Sequence, residues 1–177
     1  MNQELENIDL DNNPNEAKKR PTFLTILLVL STLYIVSGFF GATQALISGP
    51  LSPEQMEEQM SELYGTISGM VENDPDGQFS NTVEVMIDNS VYLNNEAFYS
   101  SNILNLVSFI IGGMAIFMMF KLNKIGFHLY VIYSLLPVVI TYAIVPMSLI
   151  LPMTIVMLVL LGAIFSVLYG IHLKYMK

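Results

Sequence analysis

The chain has no cysteine. Disulfide scaffolds, thiol redox chemistry and cysteine-ligated metal sites are therefore excluded, and with them the small four-span membrane families whose folds depend on cysteines. Charge is also scarce. Asp, Glu, Lys and Arg make up 12% of the 177 residues, about half the roughly 25% typical of a soluble domain. The shortage is local: residues 21–53 and 97–120 carry no charged side chain. Lysine and arginine number seven and fall in three short clusters, Lys18/Lys19/Arg20, Lys121/Lys124 and Lys174/Lys177, while all fifteen carboxylates lie at or before Glu96. No basic face can be assembled from this distribution, so nucleic acid is not expected as a partner.

What the chain has instead is apolar length. Phe23 to Ser48 reads FLTILLVLSTLYIVSGFFGATQALIS, long enough as a helix, at about 1.5 Å per residue, to cross a hydrocarbon core of roughly 30 Å. Three more such runs follow. The expected fold is all-α: a polytopic membrane protein of four transmembrane helices, 22–48, 99–120, 127–145 and 148–173, forming one bundle in lipid. Thr43 and Ala45 are small enough for a signal-peptidase site, but the run far exceeds the 7–15 residues of a signal-peptide core. An uncleaved signal anchor is the expectation.

The charges orient these spans. Basic residues beside a first crossing favour the cytoplasmic side, which makes residues 1–21 a cytoplasmic tail, polar and disordered by composition. Residues 49–98 then form an outer loop, 121–126 a cytoplasmic turn, 146–147 a short outer turn and 174–177 a cytoplasmic end. With four crossings, all seven basic residues fall inside; three or five would put the C-terminal lysines outside.

The outer loop carries ten carboxylates and no Lys or Arg. Ser52-Pro53-Glu54-Gln55 is a helix start, with Ser52 as N-cap, Pro53 at the first helical position and Gln55 reaching back. Met56, Met60, Leu63, Tyr64, Ile67, Met70 and Val71 recur at helical spacing, opposite Glu54, Glu57, Glu58 and Glu62. Asn73-Asp74-Pro75-Asp76-Gly77 ends this helix, and a second is expected from about Asn81, capped with Glu84. The pair forms an extracytoplasmic amphipathic helical hairpin. Its acidic character suits protein better than an anionic lipid surface, so Met56, Met60, Leu63, Ile67 and Met70 are candidates for a partner-binding face. Within the spans, Gly38 (with Ala42), Gly41 (with Ser37), Ser108 with Gly112, and the stripe Gly162/Ser166/Gly170 are helix-packing candidates, because small residues four apart let helix backbones approach. The plain alternative is that glycine is common in membrane helices.

Candidate chemistry is sparse. No Asp, Glu, Lys or Arg lies within the spans, which counts against an ion-coupled transporter. His128 and His172 fall near the same boundary and titrate near neutrality if paired; the plain reading is interfacial polarity. Glu72 to Gly77 resembles the start of a calcium loop, yet the closing carboxylate position holds Val83. Met56, Met60 and Met70 are soft ligands for Cu(I), but methionine more commonly fills helix contacts. No phosphate loop, nucleophile triad or paired membrane carboxylates occur, so no enzyme activity, cofactor or metal is expected.

Lys121 to Tyr133, KLNKIGFHLYVIY, sets a short basic turn before a Gly-aromatic-His helix opening. Together with the acidic outer loop, this layout resembles small four-span bacterial membrane proteins of unknown function. That resemblance implies a bacterial inner membrane and lends no activity. The functional expectation is an accessory or scaffold subunit, in contact with the lipid bilayer, that binds another membrane or extracytoplasmic protein or a second copy of itself. The alternative is a passive channel or small-solute carrier, motivated by Pro137 and by Asn102 and Asn105.

Overall fold

The computed structural model describes residues 21–72 and 74–177, with the side chains of Met70 and Glu72 outside that description. The tail expected over residues 1–20 lies outside it as well. The described residues form six α-helices and two single 3₁₀ turns, with no strand among them. The helices are α1 (Thr22–Ser48), α2 (Pro53–Glu72), α3 (Gln78–Asn95), α4 (Phe98–Phe120), α5 (Lys124–Ile144) and α6 (Pro152–Gly170). Four of them, α1, α4, α5 and α6, are long and apolar enough to cross a membrane.

Local chemistry sets the helix ends. Gly49 closes α1 at φ 78°, a left-handed conformation open to glycine without Cβ strain. Ser52 and Gln55 make the reciprocal cap of α2: the Gln55 amide donates to Ser52 Oγ (3.3 Å) and the Ser52 amide to Gln55 Oε1 (3.0 Å). The start of α3 differs from the Asn81 expectation. It begins at Gln78, because Asp74 reaches over the turn and its Oδ2 accepts from the Ser80 amide (2.8 Å) and hydroxyl (3.0 Å). Asn123 caps α5 by accepting from the Ile125 amide at 2.9 Å, so this helix starts at Lys124 rather than Phe127. Pro146 and Pro152 bracket a 3₁₀ turn at Met147–Leu149, and α6 begins only at Pro152, its first residue, rather than Ser148.

The four long helices pack in the order α1, α4, α5, α6, each against the next. A single long-range bond closes the circuit: the Tyr169 hydroxyl on α6 donates to Ser31 Oγ on α1 at 2.8 Å, both side chains being buried. The core gathers toward one end, from Leu24, Leu27 and Leu28 of α1, Ala115, Ile116 and Met119 of α4, Tyr130 and Tyr133 of α5, and Tyr169 of α6. The C-terminal residues seal that end. Met176 is buried in the core, the Lys177 amide donates to the Leu122 carbonyl (2.6 Å), and the Lys124 amide donates to the Lys177 carbonyl (2.9 Å). Lys121, Lys124, Lys174 and Lys177 therefore share one end of the bundle. The other end carries α2 and α3, with their carboxylates.

Candidate functional site

Three features have the composition of a contact or binding surface. The first is the apolar face of α2. Among the long helices α2 has no principal contact; it touches α3. Leu63 and Tyr64 are 36% and 47% exposed, and Met56, Met60 and Ile67 are half-buried. Among the described residues, the packing expected for this face is supplied only in part. Helix α3 is the one tied down. Its Asn89 Nδ2 donates to the Leu149 carbonyl (2.8 Å), and the Tyr92 hydroxyl donates to the Ile144 carbonyl (3.1 Å). Asn94 exchanges bonds with the Leu51 amide (2.8 Å) and carbonyl (3.1 Å). Tyr92 thus ties α3 to the end of α5, Asn89 to the 3₁₀ turn that follows it, and Asn94 to the link between α1 and α2.

The second feature is the set of small residues. The ring of Phe109 on α4 lies where a Cβ on Gly38 would stand. The ring of Tyr133 lies 2.8 Å from the Cβ position of Gly112, and the Ser134 carbonyl 3.0 Å from that of Gly162. Ser108 is buried, and Ser166 Oγ sits 3.4 Å from Ser134 Oγ. Gly170 meets the Phe127 ring at an ordinary 3.7 Å, while Gly41 faces open space. These contacts are all made inside the one chain. The closest backbone approach was not among the candidates read from the sequence: a Cβ on Gly126 would lie 2.6 Å from the Met119 amide nitrogen and 2.8 Å from the Ala115 carbonyl oxygen. Gly126 has no small partner four residues away, so the spacing rule passes over it.

The third is a cavity of about 320 Å³ between α1, α5 and α6. Leu30, Pro137, Leu158, Leu161 and Phe165 give it apolar walls; Ser31, Tyr34, Tyr130, Tyr133 and Ser134 bring hydroxyls to it. It lies where α6 leans chiefly on α5 and meets α1 through the Tyr169–Ser31 bond. Within α6 just 6% of the most apolar window is buried, against 28% in α1 and α4. Pro137 lies in the wall and gives no N–H to the Tyr133 carbonyl one turn earlier.

The remaining sequence candidates are separated. His172 stacks on Phe23 at 5.5 Å with its Nδ1 2.8 Å from the Leu168 carbonyl, whereas His128 meets Phe127 edge-on. In the calcium-like turn, the Asp74 carboxylate is engaged by Ser80. The Ser80 amide above all holds this carboxyl below its ordinary range; desolvation opposes it next in size, and the Ser80 hydroxyl with the Phe79 and Gln78 amides adds to the lowering. Among the described residues, no group of three or more His, Asp and Glu stands ready to hold a metal ion. Asn102 donates to its own helix at the Phe98 carbonyl (2.8 Å).

Comparison with protein-family models, with curated proteins and with solved structures finds no match for this chain.

Proposed function

We propose that the protein is an accessory subunit of a bacterial inner membrane, with both termini cytoplasmic and the α2–α3 hairpin outside, and that it binds a partner protein through the apolar face of α2. The observation that carries this reading is the position of α2. A transmembrane face needs no protein cover, because lipid solvates it. An amphipathic helix bearing Glu54, Glu57, Glu58 and Glu62 stands in water, where the row of exposed Leu63 and Tyr64 and half-buried Met56, Met60 and Ile67 forgoes about 25 cal/mol for every Å² of apolar surface left wet. The carboxylates leave that row free for a partner and keep the helix off anionic lipid.

Native mass spectrometry of the tagged protein, extracted gently from its own membrane, tests this. A stoichiometric partner protein is expected, and the double substitution Met60→Glu with Leu63→Glu is expected to release it while leaving the four spans folded. Recovery of the same complex from the double variant would refute the α2 interface. Recovery of the chain alone would move the weight to a small-solute carrier, the second reading, which the cavity between α1, α5 and α6 favours.

A further inference from the structure

Tyr133 stands apart from the other tyrosines of the core. It is 7% exposed, its ring lies flat against Gly112 of α4 and 5.7 Å from the Tyr130 ring, and it lines the cavity. Its hydroxyl makes no hydrogen bond among the described residues. Of the serine hydroxyls nearby, Ser31 Oγ accepts from Tyr169 (2.8 Å) and Ser134 Oγ donates to the Val131 carbonyl (2.8 Å). No fully buried side-chain polar atom among the described residues lacks a partner, so the Tyr133 hydroxyl is one that the cavity reaches. A donor that opens onto an apolar cavity can be met by an acceptor on a molecule held there.

Depth and charge define the ligand. Ser31 and Tyr34 lie nine and twelve residues beyond the start of α1 at Thr22, about 14–18 Å along the helix axis. In a hydrocarbon core of roughly 30 Å this is mid-span, out of reach of a phospholipid headgroup. No Asp, Glu, Lys or Arg lines the cavity, so nothing there balances an ionised ligand. The lining calls for an apolar body against Leu30, Leu158 and Phe165, with an oxygen acceptor facing the Tyr133 hydroxyl and Tyr34 at the mouth. A volume of about 320 Å³ lies at the small end of ligand sites and admits one ring or a short chain segment.

We infer that the cavity between α1, α5 and α6 binds a neutral, lipid-soluble molecule through a carbonyl oxygen that accepts from the Tyr133 hydroxyl. A prenylated quinone and a diacylglycerol-type ester both present this chemistry. The site does not depend on a protein partner and stands or falls separately from the α2 interface.

The test is thermal unfolding of the full chain in detergent, followed by circular dichroism, against rising concentrations of decyl-benzoquinone, dioctanoylglycerol, decane and decanoate. One or both carbonyl compounds are expected to raise the midpoint in a saturable way, the responder naming the source, with decane and decanoate inert. Tyr133→Phe keeps the ring against Gly112 and removes a hydroxyl with no internal partner, so the unliganded variant is expected to melt no lower than the parent. Its apparent affinity for the responder should fall about tenfold, the worth of one hydrogen bond. Leu158→Phe, which fills the cavity from the lightly packed half of α6, is expected to abolish the response. Equal binding by Tyr133→Phe, equal stabilisation by decane, or no stabilisation by either carbonyl compound would overturn the inference.

Discussion

At the scale of single residues, glycine marks where two helices touch, but spacing alone does not say which glycine. Gly126 opens α5 directly against the last turns of α4, and the atoms nearest its missing Cβ are backbone, the Met119 nitrogen and the Ala115 oxygen. Backbone cannot rotate away as a side chain can. Gly126→Val should force α4 and α5 apart and lower stability by about 1–3 kcal/mol, the usual cost of overpacking. Gly113 lies on α4 with nothing within 4 Å of its Cβ position. Gly113→Ala should leave stability unchanged or raise it by up to about 1 kcal/mol, by removing helix-interior glycine. Thermal melts of the two variants in one detergent check the pair, and a harmless Gly126→Val would refute the close contact.

At the scale of elements, α1 and α4 were legible because each is an uncharged run bounded by charge, and α5 and α6 because the uncharged run 125–173 is too long for one crossing and is broken at Pro146. Their limits were less so. Prolines 146 and 152 lie within one apolar stretch, and hydropathy cannot see that backbone sterics delay α6 to Pro152. The start of α3 turned on Asp74, whose side chain bonds Ser80, six residues on; a capping search confined to three residues favoured Asn81 instead. The apolar face of α2 was readable from its period, and the structure adds that its main neighbour is α3. The cavity and the Tyr169–Ser31 bond were not readable at all. They join residues 138 apart, and no local periodicity encodes such a pairing. The Asp74 cap carries a prediction of its own. Its carboxyl titrates below the ordinary value of about 3.9 because the Ser80 amide and hydroxyl favour the charged form. A folded-state value below the unfolded one means that the cap contributes in full above pH of about 4 and is lost as pH falls through the folded value. Amide hydrogen exchange at Ser80 should therefore accelerate under acid, and Asp74→Ala should show the fast rate at neutral pH. A Ser80 amide as protected in Asp74→Ala as in the parent would show that the cap is not formed.

At the scale of the whole molecule, the charges form two poles. Lys121, Lys124, Lys174 and Lys177 gather at the end sealed by Met176, and the carboxylates of α2 and α3 occupy the opposite end. A positive pole beside translocated spans favours the cytoplasm, and the orientation proposed above has the C-terminus inside and α2 outside. The absence of cysteine makes this directly measurable, since any thiol introduced is the only one. Gln59→Cys alters an exposed, neutral position of α2 and changes no charge; a cysteine added after Lys177 does the same at the other pole. In spheroplasts, a membrane-impermeant maleimide is expected to label the Gln59→Cys protein at once and the C-terminal thiol only after permeabilisation. The reverse pattern would place the lysine pole outside, and α2 would then meet a cytoplasmic partner. Labelling of both thiols without permeabilisation would mean an odd number of crossings. One of the four apolar helices would then lie along the membrane, and α6, the least packed of them, is the one whose removal leaves the α1–α4–α5 core intact.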